Sequence, residues 1–256
     1  MKKFAKELLL DKYLFSIPLA LIFVGWELLD RLGIIAPQMV PPPSAIFTVL
    51  ITSIFDPVFM FRVIHSFINL TSGILVALAV ALPFAIVTGL KDKLDSALTP
   101  LILMGGALPS LAILPLFVMW FGPGELAAIF MCSICSFFLI YFTVREGVKD
   151  IPKDYFYVTT VFRTGRLDIF RKVIMPAALP QTVTGIRLAF DGVWEIILAI
   201  EIFAGVSGIG SFINLAVNDG LIVDAFAGIF MIGILAIAVD RLVFQTFEGR
   251  IRRWHE

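Results

Sequence analysis

Cysteine and histidine are nearly missing from this chain of 256 residues, which has two of each. Cys132 and Cys135 form a CxxC inside an apolar run. Redox and metal chemistry need accessible thiolates, and apolar surroundings keep a thiol protonated, so the pair reads as packing. His65 and His255 are solitary and far apart in sequence, which suits interface or surface roles better than metal ligation. There is no HExxH and no cysteine–histidine cluster, so the usual zinc patterns are absent. There is also no GxxxxGK followed by Ser or Thr, so the chain has no phosphate cradle of its own. The glycine-rich GVSGIG at 205–210 lacks the lysine and a preceding strand, and reads as a flexible external turn. Net charge is missing too: 20 basic residues balance 20 acidic ones, which identifies no partner and gives no sign of nucleic-acid binding.

What the chain has in excess is apolar residues. They make up 59% of the sequence, and the mean hydropathy is +0.98, against about 45–50% apolar in soluble domains. A bilayer crossing takes about 20 apolar residues. Six runs qualify or come close: 14–29, 67–90, 98–121, 126–144, 188–206 and 221–239. The fold expected is therefore an all-α polytopic membrane protein with about six transmembrane helices. The first run is short and has Glu27 near its end. No small-residue cleavage site follows it, so it reads as an uncleaved first helix rather than a signal peptide.

The basic residues orient the chain. With both termini cytoplasmic, only Arg31 and Arg62 lie outside and Arg187 sits at the edge of a span. The other lysines and arginines fall on the inner side, as the positive-inside rule requires.

Few segments lie outside the runs. Residues 33–62, with PPPS at 41–44, read as an external loop, and an amphipathic stretch at 58–72 leads into the second span. Residues 91–96 form a tight cytoplasmic turn, and FGPG at 121–124 a short external hairpin. Asn69-Leu70-Thr71 fits a glycosylation pattern but runs into a span.

The segment 145–175 is the one sizeable cytoplasmic insert. Tyr155, Val158 and Phe162, then Ile169, Phe170 and Val173, fall at helical spacing on either side of Arg163-Thr164-Gly165-Arg166. Glycine tolerates the positive φ of a helix end, so the insert reads as two short amphipathic helices joined by a turn. Such paired faces fit docking on a partner better than a solvated connection.

Two spans carry candidate path residues. The third contains Pro109, Pro115 and Pro123 with Gly105 and Gly106. Broken backbone in a membrane survives only where protein or a water-lined path satisfies it, so Pro109 and Ser110 are candidates for a pathway wall, or else part of a packing kink. The fifth carries Asp191, Glu195 and Glu201. An acid at mid-bilayer costs about 2.5–3.5 kcal/mol on insertion scales. Arg187 lies one turn before Asp191, so these two can form an intramembrane ion pair. Trp194, Glu195 and Glu201 are the candidates for path or gate.

Several stretches taken together carry a family resemblance: LPSLAILPLFVMWFGPGE (108–125), FRKVIMPAALP (170–180), GIRLAF (185–190), EIFAGVSGIGSFI (201–213) and FEGRIRRW (247–254). Over nearly its whole length the chain resembles the membrane (permease) subunit of ATP-binding-cassette importers. The group in question handles nitrate, bicarbonate, sulfonates, taurine and some vitamin precursors. In that family the insert holds the EAA motif, a coupling helix seated in a groove of the ATPase. The pattern is EAA, three residues, Gly, nine residues, Ile-x-Leu-Pro.

Aligned on Met175-Pro176, Val173 takes the Ile position, Arg163 the Gly position, and Tyr157, Val158 and Thr159 the EAA positions. The end of the motif is kept and its beginning is lost, with Gly165 two residues on as a substitute turn. The resemblance implies ATPase coupling through Tyr157, Val158, Thr159, Phe162, Arg163, Gly165 and Arg166. It also implies a second permease subunit, two ATPase subunits that hold ATP and Mg, and an extracytoplasmic substrate-binding protein. The chain itself would bind no cofactor or metal and catalyse no reaction, and would lie in a bacterial or archaeal plasma membrane. The rival reading is an ion-gradient-driven transporter that relays protons through Glu195 and Glu201. An intramembrane enzyme would need a nucleophile or metal set on facing spans, and none is visible.

Overall fold

The computed structural model describes residues 2–246, with side chains from residue 17 onward. The FEGRIRRW stretch, His255, and Arg250, Arg252 and Arg253 lie outside the described residues. Among those described, every regular element is helical. The helices are α1 (Lys2–Arg31), α2 (Pro43–Ile54), α3 (Pro57–Gly89), α4 (Asp92–Gly106), α5 (Ser110–Phe121) and α6 (Glu125–Lys149). They continue with α7 (Lys153–Val161), α8 (Arg166–Ile169), α9 (Met175–Phe203), α10 (Ile209–Asn218) and α11 (Ile222–Val239).

Among the described residues, three helical stretches are long and apolar enough to cross a membrane: Pro57–Gly89, Glu125–Lys149 and Ile222–Phe244. The expected third span is divided. α4 and α5 meet at 89°, and counted together they make a fourth crossing. Pro109 cannot donate a backbone hydrogen bond, so the ladder stops there, and its ψ of 115° turns the chain before α5 begins. α9 is 29 residues long but bears Arg187, Asp191, Glu195 and Glu201, more charge than an unaided lipid-facing span carries.

The chain forms two compact units. The first comprises residues up to 60 together with 212–231. Its centre is aromatic: Phe23, Trp26, Phe47 and Phe230 lie with ring centroids about 6 Å apart. The expected loop 33–62 is helical over much of its length. Pro43 begins α2, where a missing N–H is harmless, and Ile46 and Leu50 bury one face. Glu27 accepts from Ser44 N–H at 3.1 Å and Ser44 Oγ at 2.9 Å, which ties α1 to the start of α2.

The second unit comprises residues 61–211 and those from 232 on. α6 and α9 pack along most of their length, with small residues at the contacts. A Cβ on Gly185 would lie 3.2 Å from Ile140 Cα, and one on Gly73 would lie 3.0 Å from the Ile129 carbonyl. Close approach through glycine is the usual way membrane helices gain packing contact. Cys132 is fully buried beside Gly73, in keeping with a packing role.

Candidate functional site

The insert is built differently from the two free helices expected. α7 forms as expected, but the second helix does not stand alone. α8 runs through a π-helical segment, Phe170–Ile174, directly into α9. Pro176 supplies the physical reason: it has no N–H for the carbonyl of Lys172, so the ladder widens locally, and Met175 N–H instead reaches back five residues to Phe170 O.

The turn at 162–165 also differs from expectation. Thr164 N–H donates to Thr159 O at 2.9 Å and Arg163 N–H to Thr160 O at 3.1 Å. This pattern closes a helix through one residue of positive φ. That residue is Arg163, at φ 47°, and Gly165 has an ordinary φ of −67°. The reading that gave Gly165 the turn is thus corrected. Arg163 holds the left-handed conformation at the position where the family motif has glycine.

The insert has two sides. Phe156, Ile169 and Val173 pack against the core of the second unit, and Thr159 is buried, with its hydroxyl donating to Phe156 O at 2.8 Å. Tyr157, Val158, Val161, Phe162 and Leu167 point away, Phe162 at 76% exposure. Arg166 is exposed beside them. Between the end of α6, the start of α7 and the beginning of α9 lies a cavity of about 460 Å³, lined by Asp150, Tyr155, Lys172, Pro176 and Gln181 among others.

An ion cluster anchors the base of the insert. Asp95, in the first turn of α4, is buried. It accepts from Arg145 Nη2 at 2.6 Å, from Arg145 Nε, from Lys149 Nζ at 2.8 Å and from Thr99 Oγ1 at 2.9 Å. Arg145 also contacts Glu146. Asp95 precedes the apolar run that starts at Leu98. The Arg145 guanidinium holds its carboxyl well below the usual carboxylate range, burial opposes that shift, and Lys149 and Thr99 add to it. Sequence reasoning missed Asp95. The available signal was a Thr one turn on and Arg145 as the first charge after an uncharged run.

The candidate path residues are distributed unevenly. Asp191 and Glu195 are exposed on α9, and Pro109 is exposed at the α4–α5 break. Ser110 is half-buried and hydrogen-bonds to Cys135. Trp194 lies inside the core, edge-on to Phe190 with centroids 5.6 Å apart. Glu201 is fully buried and accepts from Gly210 N–H at 2.8 Å. Arg187 does not pair with Asp191; its Nη2 lies 2.8 Å from Asp240 Oδ1, on the π-helical segment Asp240–Phe244 that follows α11. Adjacency on one helix suggested the first partner, and packing of α9 against this segment supplies another.

The glycine-rich turn at 205–210 is not loose. Ile209 N–H donates to Ser66 Oγ at 2.8 Å, Gly208 N–H donates to Ser211 Oγ at 3.0 Å, and the Ser207 carbonyl lies 2.9 Å from His65 Nδ1. Hydrogen bonds to the backbone of Ser207, Gly208, Ile209 and Gly210 replace the flexibility expected of glycines. Gly208 and Gly210 leave room for Glu201: a Cβ on Gly208 would lie 2.1 Å from Glu201 Cδ, and one on Gly210 would lie 2.9 Å from Glu201 Cβ and 2.6 Å from Leu198 O.

Among the described residues, long apolar helices, a sharply bent helix pair and an insert of short helices define the class as an α-helical polytopic membrane protein, and comparison with known proteins gives the family. Residues 73–253 match the family described as the binding-protein-dependent transport system inner membrane component, and the chain belongs to it. It is similar to the taurine transport system permease protein TauC of Escherichia coli (strain K12), 28% identical over 243 residues, covering 93% of this chain and 88% of that protein. It is similar also to the bicarbonate transport system permease protein CmpB of Synechocystis sp., 31% identical over 228 residues, covering 84% and 80%.

Among solved structures it is similar to a chain of the MetNI methionine ABC transporter in an inward-facing conformation. The TM-score is 0.64 at 18% identity, covering 77% of this chain and 95% of that one. At that identity the likeness shows the fold. The chain is thus a multi-pass permease subunit of an ABC importer, a non-enzymatic component that works with an ATPase and a substrate-binding partner.

Proposed function

We propose that two copies of this chain form the translocation path of an importer in a bacterial or archaeal inner membrane, driven by two ATPase subunits through the insert. The observation that carries this reading is the exposed apolar face of Tyr157, Val158, Val161, Phe162 and Leu167. It stands on a segment whose other side is packed into the core and whose base is held by Asp95, Arg145 and Lys149. A monomer gains nothing by showing water such a patch, and an ATPase groove that covers it gains a rigid handle on α9. ATP and Mg belong to that partner. ATP-driven closure of the ATPase pair then biases two arrangements of the spans, which is alternating access as a population shift.

The topology that goes with this reading is six crossings, made by α1, α3, the α4–α5 pair, α6, α9 and α11, with both termini and the insert inside. The exposed carboxylates Asp191 and Glu195, with Pro109 at the break, then line the path, because lipid does not accept them. Trp194 and Glu201 act as supports behind that wall. The cargo is a small solute of the nitrate, bicarbonate, sulfonate or vitamin-precursor class, delivered by a binding protein. Glu201, enclosed and accepting from a backbone amide, takes a structural role in this reading, and the family to which the chain belongs speaks against a gradient-driven carrier.

The experiment is ATP hydrolysis and solute uptake by the natively purified assembly. Phe162→Asp places a charge in the docking face, and is expected to release the ATPase or to cut substrate-stimulated hydrolysis at least tenfold while the permease still folds. Full coupling in Phe162→Asp, or uptake that survives ATP depletion, would overturn the reading.

A further inference from the structure

His65, near the start of α3, meets two other parts of the second unit. Its Nε2 lies 3.0 Å from Oε1 of Glu125, the first residue of α6. Its Nδ1 lies 2.9 Å from the carbonyl oxygen of Ser207, in the segment joining α9 to α10. A carbonyl and a carboxylate can only accept. Both ring nitrogens therefore need a hydrogen, and the geometry is that of an imidazolium. A third group stands at the same nitrogen: the side-chain amide of Asn69, one turn along α3, has Nδ2 3.3 Å from Nδ1. It can donate there only when Nδ1 carries no hydrogen.

We propose that His65 is a proton-operated switch that holds or releases the segment 204–208. With the ring protonated, Nε2–H donates to Glu125 and Nδ1–H donates to Ser207 O. When one proton leaves to solvent, the remaining hydrogen stays on Nε2, because a carboxylate is a stronger acceptor than a carbonyl. Nδ1 then presents a lone pair, which repels the Ser207 carbonyl and accepts the Asn69 N–H instead. The segment loses its arm to α3 at Ser207. It keeps three holds further on, Gly208 N–H to Ser211, Ile209 N–H to Ser66 and Gly210 N–H to Glu201, so release is confined to the residues around Ser207.

The route for the proton is open, since the side chains of His65 and Glu125 are 18% and 61% exposed. The charged groups around the ring are few. Glu125 faces it from α6, Arg62 is one turn back on α3, and Glu201 of α9 lies beyond Ser66, with which it hydrogen-bonds. The segment 204–208 brings only backbone, and the Phe61 ring sits 5.5 Å away on α3 itself. Gain or loss of one proton on this ring thus sets the order of the backbone around Ser207. The switch does not depend on the ATPase-coupling reading, and its test gives the same answer if that reading fails.

The test is nitroxide mobility at Ser207→Cys, whose side chain is exposed and whose carbonyl is unchanged by the substitution. The purified assembly is placed in lipid nanodiscs and compared at about pH 5.5 and about pH 8. An assembly without Ser207→Cys controls for labelling at Cys132 and Cys135. The expected result is an immobile label at the lower pH and a mobile component several-fold larger at the higher. Glu125→Gln should leave the label immobile at both, because the glutamine amide can donate to Nε2 and leave the hydrogen on Nδ1. His65→Gln should abolish the pH dependence. Identical wild-type spectra at both pH values, or a transition that persists in His65→Gln, would overturn the proposal.

Discussion

Arg163 adopts a conformation in which an L side chain with a Cβ is disfavoured, by about 1 kcal/mol relative to glycine. It does so because Thr159 and Thr160 need their carbonyls capped at the end of α7, and the next two amides reach them only if one residue turns left-handed. Arg163→Gly should therefore tighten the turn, slowing amide exchange at Arg163 and Thr164 roughly fivefold. Gly165→Ala two residues on should change nothing measurable, because its φ is ordinary and a Cβ there meets open space. Hydrogen exchange of the assembled complex reads both. The sequence points to a turn here, because charge and glycine interrupt two apolar patterns. Which residue carries the strain depends on where the hydrogen bonds close, and they close around Arg163, the position at which the family motif has glycine.

At the level of helices, the joint between α4 and α6 depends on Asp95. Replacing it with asparagine leaves the Arg145 guanidinium buried without its main partner, a change that costs about 3–5 kcal/mol in comparable buried pairs. The Asp95→Asn assembly should melt well below wild type, and Asp92→Asn, exposed on the same turn, should not. The sign of the pH dependence follows from the lowered carboxyl. The cluster stabilises fully above the ordinary carboxylate range, near pH 4, and is lost as pH falls below that range toward the folded value. Wild type should therefore lose an increment on acidification that Asp95→Asn does not. The long apolar helices were legible from composition and period alone. The Asp95 cluster was not, since its partner lies 50 residues away, and the union of α8 with α9 was hidden by Pro176, which local rules read as a boundary.

For the whole chain, the placement of basic residues makes a claim about sidedness that labelling can check. Single cysteines at Arg31 and Lys91 should react oppositely with a membrane-impermeant thiol reagent in intact cells: Arg31→Cys labelled, Lys91→Cys labelled only after permeabilisation. The reverse pattern would invert the topology. Membership of the permease family was legible because its signature stretches are ordered along nearly the entire chain. The roles of the acidic residues of α9 were harder to see. A helix pattern tells which residues share a face, but only packing tells that Glu201 is enclosed while Asp191 and Glu195 are open.

From Arg166 to Phe203 the backbone is helical without a break, a rod of about 57 Å at 1.5 Å per residue. The surface proposed for the motor protein and the end that carries Glu201 are therefore two ends of one crankshaft, and the π-helical stretch near Pro176 is the place along it where the winding is already relaxed. A torque applied at Leu167 has no slack loop in which to dissipate. It must arrive at the far end as rotation, reduced only by whatever twist that stretch absorbs.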